Sequence, residues 1–242
     1  MQITMDEGYQ FGLGVFETIA VEDGKPLFLN WHLNRLEQSL KELGIKQSVS
    51  EEEICSYLSQ KECNHHALKV IVSSQNIVFT LRQNPYTEKQ LEEGFDLGFS
   101  SVYRNETSLL TRHKTLNYGD CILEKRHAKD LGVDELLFFN SRGEVCEGTV
   151  SNVFFSKNGQ LFTPPVSSGL LPGIIRRFLI ENFSVTEKVL KKEDIKEMEE
   201  CFVTNSLMGI MPVKSLNGIT YPMGKLTKMC QDFYQDTILK VR

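Results

Sequence analysis

The sequence predicts an α+β protein of two domains, and three observations carry that prediction. Segments with strand character and segments with helical periodicity succeed one another irregularly, without the βαβ alternation of a doubly wound parallel sheet. Two Asn-Gly pairs, Asn158-Gly159 and Asn217-Gly218, stand between apolar runs and mark antiparallel hairpins. A polar stretch, Arg104–Ser108, interrupts the pattern. It separates an N-terminal α+β domain, 1–104, from a C-terminal β-rich domain, 105–242.

The elements follow in order. Gly12–Asp23 reads as a strand through Val15, Phe16, Ile19 and Val21, closed by a turn at Asp23-Gly24. Asn30 is placed to cap a helix with an apolar stripe of Leu33, Leu36, Leu40 and Leu43, ended by Gly44. Ser50 and Glu53 have the spacing of a capping box for a second helix. Leu68–Ser73 and Ile77–Leu81 form a hairpin, Thr87–Glu93 a short helix and Phe95–Tyr103 a strand. Beyond the boundary, Tyr118–Leu131 is a helix stopped by Gly132. Strands are expected at Glu135–Asn140, Glu144–Cys146 and Asn152–Ser156, then at Leu161–Thr163 past the first Asn-Gly turn. Gly173–Asn182 reads as a helix, and Val185–Leu190, Cys201–Asn205 and Met211–Val213 read as strands. Glu193–Glu199 is a short helix and Lys225–Leu239 the last one.

The chain has 242 residues, 40% hydrophobic and 24% charged, enough for a substantial core. A formal net charge of -5 argues against nucleic acid or an anionic membrane as the main partner, yet leaves room for a locally basic anion site. No run approaches the roughly 20 apolar residues that span a bilayer. Residues 1–8 lack the basic-then-apolar order of a secretory signal, so a cytoplasmic location is expected. Six cysteines are scattered without a CxxC pair. Cys63, His65 and His66 come nearest to a metal cluster, but reduced thiols and no metal are the simpler reading.

Single residues say little by themselves. Lys114 lies in Arg112-His113-Lys114-Thr115-Leu116-Asn117-Tyr118. It reads either as an ordinary surface lysine or as an amine whose pKa is lowered by neighbouring cations. Glu147 is either a solvated strand end or a carboxylate facing a cofactor ring nitrogen. Leu171-Pro172-Gly173-Ile174-Ile175-Arg176 opens a helix, whose first amides suit phosphate, though most such starts are empty. Arg35 falls about 120° from the leucine stripe, which predicts a surface arginine.

Their order is more specific. Gly12-Leu13-Gly14-Val15-Phe16-Glu17-Thr18, His32-Leu33-Asn34-Arg35-Leu36, Lys114-Thr115-Leu116-Asn117, Glu147-Gly148 with Ser151-Asn152-Val153, and Leu171-Pro172-Gly173-Ile174 succeed one another along the chain. From Gly8 to about Val213, the set resembles the fold-type IV enzymes that use pyridoxal 5'-phosphate (PLP). That group contains D-amino-acid and branched-chain aminotransferases and aminodeoxychorismate lyase. The resemblance implies a two-domain fold like that of the D-amino-acid aminotransferases, with the cofactor between domains, and a homodimer. It makes Lys114 the Schiff-base lysine and mobile acid/base, and Glu147 the partner of the pyridine nitrogen. Arg35, the amides of Ile174 and Ile175, and Ser206 would hold the phosphate. Tyr118 would lie near the ring hydroxyl, and Phe16, Asn205 and Met208 would line the substrate pocket. Two departures stand out. Gly8–Gly12 comes so early that an N-terminal β element is expected to be absent or shortened. Leu13 also replaces an aspartate of the pattern.

Aminotransferases tend to carry a small-residue turn followed by Glu and Ile-Thr-Pro-Val. Thr204-Asn205-Ser206-Leu207-Met208-Gly209-Ile210-Met211-Pro212-Val213 looks instead like aminodeoxychorismate lyase, although a buried strand end followed by apolar packing would also account for the Leu and Met. The implied function is conversion of 4-amino-4-deoxychorismate to 4-aminobenzoate and pyruvate in folate biosynthesis. Tyr118 favours the alternative, a D-amino-acid or branched-chain aminotransferase. A PLP-binding protein without turnover is the third reading.

Overall fold

Alternation of Val15, Glu17, Ile19 and Val21 with Phe16, Thr18 and Ala20 gives strand β1 (Gly14–Glu22) two faces. β2 (Lys25–Pro26) borders its end, while β3 (His65–Ser73) pairs with it antiparallel from Gly14 to Glu22. β4 (Ile77–Gln83) completes a four-stranded sheet in the order β2-β1-β3-β4. Val15, Ile19, Val21, Leu68, Val70 and Val72 form one core with Leu36 and Leu40 of α2 (Leu29–Glu42) and Ile54 and Leu58 of α3 (Glu51–Ser59). The capping box of α3 is present: Glu53 N donates to Ser50 Oγ at 3.2 Å and Ser50 N to Glu53 Oε2 at 2.8 Å.

Helix α2 starts differently from expectation. Its N-cap is Phe28, in the left-handed region at φ 53, and Asn30 lies inside the first turn. The buried stripe is Leu29, His32, Leu36, Ser39 and Leu40, with Leu33 and Leu43 only partly buried. The polar Glu17 on the inner face of β1 is the physical reason, because it draws His32 and Arg35 towards the sheet.

The second sheet is nine-stranded. β5 (Phe95–Arg104) follows the short helix α4 (Glu88–Glu93), and α5 (Gly119–Asp130) leads to β6 (Glu135–Asn140) and β7 (Val145–Gly148). β8 (Asn152–Lys157) and β9 (Gln160–Thr163) form the hairpin at Asn158-Gly159, both residues at positive φ. α6 (Ile174–Asn182), β10 (Val185–Glu187), α7 (Lys192–Ile195), β11 (Glu200–Asn205), β12 (Gly209–Leu216), β13 (Ile219–Thr220) and α8 (Lys225–Val241) complete the chain. The strand order is β10-β9-β8-β11-β12-β5-β6-β7, with β13 on β12. Its core includes Phe95, Leu97, Leu137, Val153, Phe155, Val203 and Met211. Glu200 on β11 accepts from the amides of Leu226 and Thr227 at 3.2 and 2.8 Å and so caps α8.

The computed structural model describes residues 2–241. They group into two units. One runs from the N-terminus to Pro85 and includes His113–Tyr118 and the chain from Thr237; the other comprises Tyr86–Arg112 and Gly119–Asp236. The boundary expected at Arg104 therefore differs from the observed division. β5 is parallel to both β12 and β6 and buries Phe95 and Leu97 in the second core, which ties it to that sheet. The polar Arg104–Ser108 stretch is not a linker, since Arg104 pairs with Glu147 and Glu106 accepts from Ser141 and Arg142. The strand expected at Val185–Leu190 stops at Glu187, and the helix expected at Glu193–Glu199 is Lys192–Ile195. Among the described residues, no helix is long and apolar enough to cross a membrane. Cys63 is buried, and His65 Nδ1 is bound to Glu22 Oε1 at 2.7 Å.

The short helix α1 (Glu7–Phe11) was not foreseen. Asp6 caps it by accepting from Tyr9 N at 3.2 Å. The same carboxylate accepts from Ser73 Oγ at 2.7 Å, Gln75 N at 2.9 Å and Asn76 Nδ2 at 3.0 Å. Burial pushes the Asp6 carboxyl up, but the bonds from Ser73, Gln75, Tyr9 and Ser74 together outweigh it and hold its pKa at about 2, below the ordinary 3.8. A depressed folded-state pKa stabilises the fold above the unfolded value and is lost as pH falls through the folded one. Asp6→Asn is expected to cost about 1–3 kcal/mol near neutral pH. Urea titrations of both proteins should show that gap shrinking as pH falls from about 4 to about 2.

Candidate active site

Lys114 sits on a short segment zipped to the start of β1. Phe16 N donates to Lys114 O at 2.8 Å, and Leu116 N donates to Gly14 O at 2.9 Å. Thr115 forms an antiparallel bridge with Val15, and Asn117 Nδ2 donates to Gly12 O at 3.0 Å. Two glycines permit this approach. Gly12 has φ 70, and a Cβ there would stand 2.8 Å from the Asn117 side chain. A Cβ on Gly14 would meet Leu116 Cδ1 at 2.7 Å and Val72 O at 2.8 Å.

Lys114 Nζ lies 4.6 Å from the Phe16 ring centroid and 4.9 Å from that of Tyr118. The two rings meet edge to face, 5.1 Å apart at 85°. A second amine, Lys69 Nζ, lies 4.3 Å from the Phe16 centroid. Burial lowers the Lys69 pKa, and the charge of Arg82 adds to this. Of the cations flanking Lys114 in sequence, Arg112 is exposed. The His113 ring is held by Ser39 Oγ at 2.9 Å and Glu42 Oε2 at 3.1 Å.

Arg35 is not a surface residue; its side chain is 12% exposed and faces β1. Glu17, 2% exposed, accepts from Arg35 Nε at 2.8 Å and Nη2 at 2.6 Å, and meets His32 Nδ1 at 2.6 Å. Burial raises the Glu17 pKa, but Arg35 and His32 outweigh it and hold the carboxyl at about 2. For His32, burial lowers the pKa against the pull of Glu17, with the charges of Arg35 and Lys114 adding to the lowering. An ionised carboxylate only accepts, so Nδ1 carries the hydrogen. Glu17 and His32 escaped the sequence reading of the site. Their signal was a charged residue among the apolar Val15, Phe16 and Ile19, and a histidine one helical turn before Arg35.

In the second unit, Glu147 is 6% exposed at the end of β7. Its Oε1 accepts from Arg104 Nη2 at 2.7 Å and its Oε2 from Leu171 N at 3.1 Å. The turn after it is held by the buried Glu135, whose Oε1 accepts from Val150 N at 2.7 Å and Ser151 Oγ at 2.9 Å. A Cβ on Gly148 would collide with Glu135 and Ser151. Asn152 Nδ2 donates to Leu171 O at 2.8 Å, and a Cβ on Gly173 would collide with Asn152 Oδ1. Glu147, Asn152 and the Leu171–Gly173 approach to α6 are thus locked together. Gly173 is the N-cap of α6 and offers no side-chain cap to the first amides, which include those of Ile174 and Ile175.

Ser206 is half-buried in the turn between β11 and β12. Asn205 builds that turn: its Oδ1 accepts from Leu207 N at 2.9 Å and Met208 N at 3.0 Å, and its Nδ2 donates to Tyr86 Oη at 3.2 Å and Val150 O at 3.3 Å. Met208 packs into the core of the nine-stranded sheet. Asn205 thus shapes the β11–β12 turn, and Met208 is anchored in the core beside it. The structure brings Lys114, Phe16 and Tyr118 together, and separately Glu147 and the start of α6.

Residues 14–216 match the family described as amino-transferase class IV. The chain is 30% identical to an aminodeoxychorismate lyase of Bacillus subtilis, covering 96% of this chain and 88% of the relative. It is also 30% identical to a putative branched-chain-amino-acid aminotransferase of Methanocaldococcus jannaschii, over 96% of this chain and 89% of that one. Among solved structures, a putative 4-amino-4-deoxychorismate lyase from Legionella pneumophila superposes with a TM-score of 0.87 at 30% identity, covering 98% of this chain and 95% of the other. The mixed helix-and-sheet architecture is that of the fold-type IV aminotransferases. The chain belongs to the amino-transferase class IV family, whose members use pyridoxal phosphate.

Proposed function

We propose that the chain is a PLP-dependent lyase that converts 4-amino-4-deoxychorismate to 4-aminobenzoate and pyruvate, acting as a cytoplasmic homodimer in folate biosynthesis. The observation that carries the choice of lyase is the Thr204–Val213 segment, with Asn205 closing its turn and Ile210-Met211-Pro212-Val213 following. The B. subtilis lyase, alike over nearly the whole chain, supports it.

The residues present fit the cofactor. Lys114 supplies the primary amine, and Glu147 is a buried carboxylate able to face a ring nitrogen. The start of α6, bare of a side-chain cap, suits a phosphate, and the family resemblance would add Arg35 and Ser206 as phosphate ligands. PLP, when bound, supplies an aldehyde for an amine and a protonated ring that takes up the electron pair released beside that nitrogen. Lys114 Nζ removes the proton from the substrate ring carbon that bears the amine. The bond from the neighbouring ring carbon to the enolpyruvyl oxygen would then break, the six-membered ring would become aromatic, and the departing enolpyruvate would take up a proton on its methylene carbon to become pyruvate. The zip between residues 114–116 and β1 fixes where the base sits, with the Phe16 and Tyr118 rings beside it. Lys69 beside Phe16 offers a cation to a substrate that carries two carboxylates.

Tyr118 favours the second reading, a D-amino-acid or branched-chain aminotransferase, and the M. jannaschii relative is equally similar. Incubation with chorismate, glutamine and the partner synthase separates the two. Aminobenzoate and pyruvate should appear with no keto acid added; in a separate incubation with a D- or branched-chain amino acid and no glutamine, glutamate formed only when α-ketoglutarate is supplied would instead establish the aminotransferase.

Two substitutions test the assignments. Lys114→Ala should slow aminobenzoate formation by about 10³-fold or more, as removal of a general base does; unchanged turnover in a fluorescence assay would overturn the reading. Gly173→Ala should push Asn152 off Leu171 and weaken PLP binding by about tenfold or more, read by quenching of protein fluorescence.

A further inference from the structure

Arg104 stands at the end of β5, and Glu147 on β7, with β6 between them. Neighbouring strands lie about 4.8 Å apart, so the two backbones are separated by roughly 10 Å. The Arg104 side chain spans that gap. Its guanidinium carbon lies 5.5 Å from the centroid of the Phe138 ring on β6, and its Nη2 ends 2.7 Å from Glu147 Oε1. Nη1 is 3.6 Å from Cys121 Sγ of α5. The side chains are 15% and 7% exposed, so this is a largely desolvated ion pair.

We propose that Arg104 is the positioning residue for Glu147: it holds that side chain as a carboxylate and aims it, and so sets how firmly Glu147 keeps a bound pyridine nitrogen protonated. This rests on the reading of Glu147 as the ring-nitrogen partner. A carboxylate buried without a cation is driven towards its neutral form, and a neutral carboxyl cannot hold a proton on a ring nitrogen. The Leu171 amide, which donates to Glu147 Oε2 at 3.1 Å, carries no charge. The groups whose charges act on the neighbouring Cys146 supply no cation in place of Arg104, and Cys121, beside Arg104, is a buried thiol. Glu144 and Glu106 are acidic, and Cys146 is kept as a thiol first by burial and then by the charge of Glu147, opposed by that of Arg104. A planar guanidinium can stack on Phe138 and still donate to a carboxylate, which a lysine ammonium does less well.

The test compares Arg104→Met, Arg104→Lys, Glu147→Gln and the double variant as purified holoenzymes. PLP affinity, the pH dependence of bound-cofactor absorbance and the pH profile of kcat are measured. Arg104→Met should weaken PLP binding about 10- to 100-fold and displace both pH profiles, with Arg104→Lys between it and the wild type. In the Glu147→Gln background, Arg104→Met should add little, because its target is gone. Profiles for Arg104→Met and Arg104→Lys that overlay the wild type, while Glu147→Gln is impaired, would overturn the role of Arg104 alone. If Glu147→Gln itself leaves PLP affinity and turnover unchanged, the assignment of Glu147 falls. Should Arg104→Met fail to fold, Arg104→Lys decides: an unshifted pH profile overturns the proposal.

Discussion

Two backbone hydrogen bonds, from Phe16 N to Lys114 O and from Leu116 N to Gly14 O, govern the first unit. They add the Lys114 segment to β1 as a short extra strand, on the edge that β2 leaves open at the start of β1. Strand pairing sends alternate residues to opposite faces, so the position of the lysine follows from the register. It also explains why small residues at Gly12 and Gly14 accompany Leu116 and Asn117, about a hundred positions away in sequence. Each glycine lies where a Cβ would strike one of that pair.

Buried carboxylates provide the second constraint. Glu17 and Glu147 are each nearly inaccessible, and each is matched by an arginine: Arg35 from α2 and Arg104 from β5. Burying an ion pair adds little net stability, because desolvation offsets the attraction, but removing one partner leaves an unpaired charge and is costly. Such pairs therefore fix geometry more than they stabilise the fold. The Glu17 pair fixes the direction of Arg35. The Glu147 carboxylate is bound on both oxygens, and its second bond, from Leu171, ties it to the approach to α6. Asn152 fastens the same approach from β8, which leaves one substitution at Gly173 able to disturb both.

Local chemistry made most elements legible. The capping box at Ser50 and Glu53, the Asn158-Gly159 turn and the glycine stops at Gly44 and Gly132 all depend on neighbours within a few residues. Failures of the reading came from distant partners. Asn30 had the chemistry of a cap, yet Phe28 in the left-handed region took that place. Arg35 was placed on the surface by helical angle, whereas Glu17, eighteen residues earlier on β1, draws it inward. The polar run from Arg104 resembled a linker because the acceptors that use it, Glu147 and the turn at Ser141, lie far ahead in sequence. α1 was invisible because five residues carry no periodicity, and its stability comes from Asp6 reaching the turn between β3 and β4.

Similarity at 30% to a lyase and to an aminotransferase implies that what the three share serves both reactions. On the proposed reading, an amine, a buried carboxylate and a helix start serve to bind and protonate the cofactor, whichever bond breaks later. The choice then falls to groups that act after the first proton is removed. Asn205 cannot make that choice through its side chain while its oxygen is bound to the amides of Leu207 and Met208 and its nitrogen donates to Tyr86 and Val150. It acts on the backbone instead, fixing the turn that presents Ser206. Its link to Val150 reaches the same loop that Glu135 clamps behind Glu147, so one network sets both the turn and the carboxylate. Asn205 and Glu135 thus hold the backbone of the two segments that carry Ser206 and Glu147.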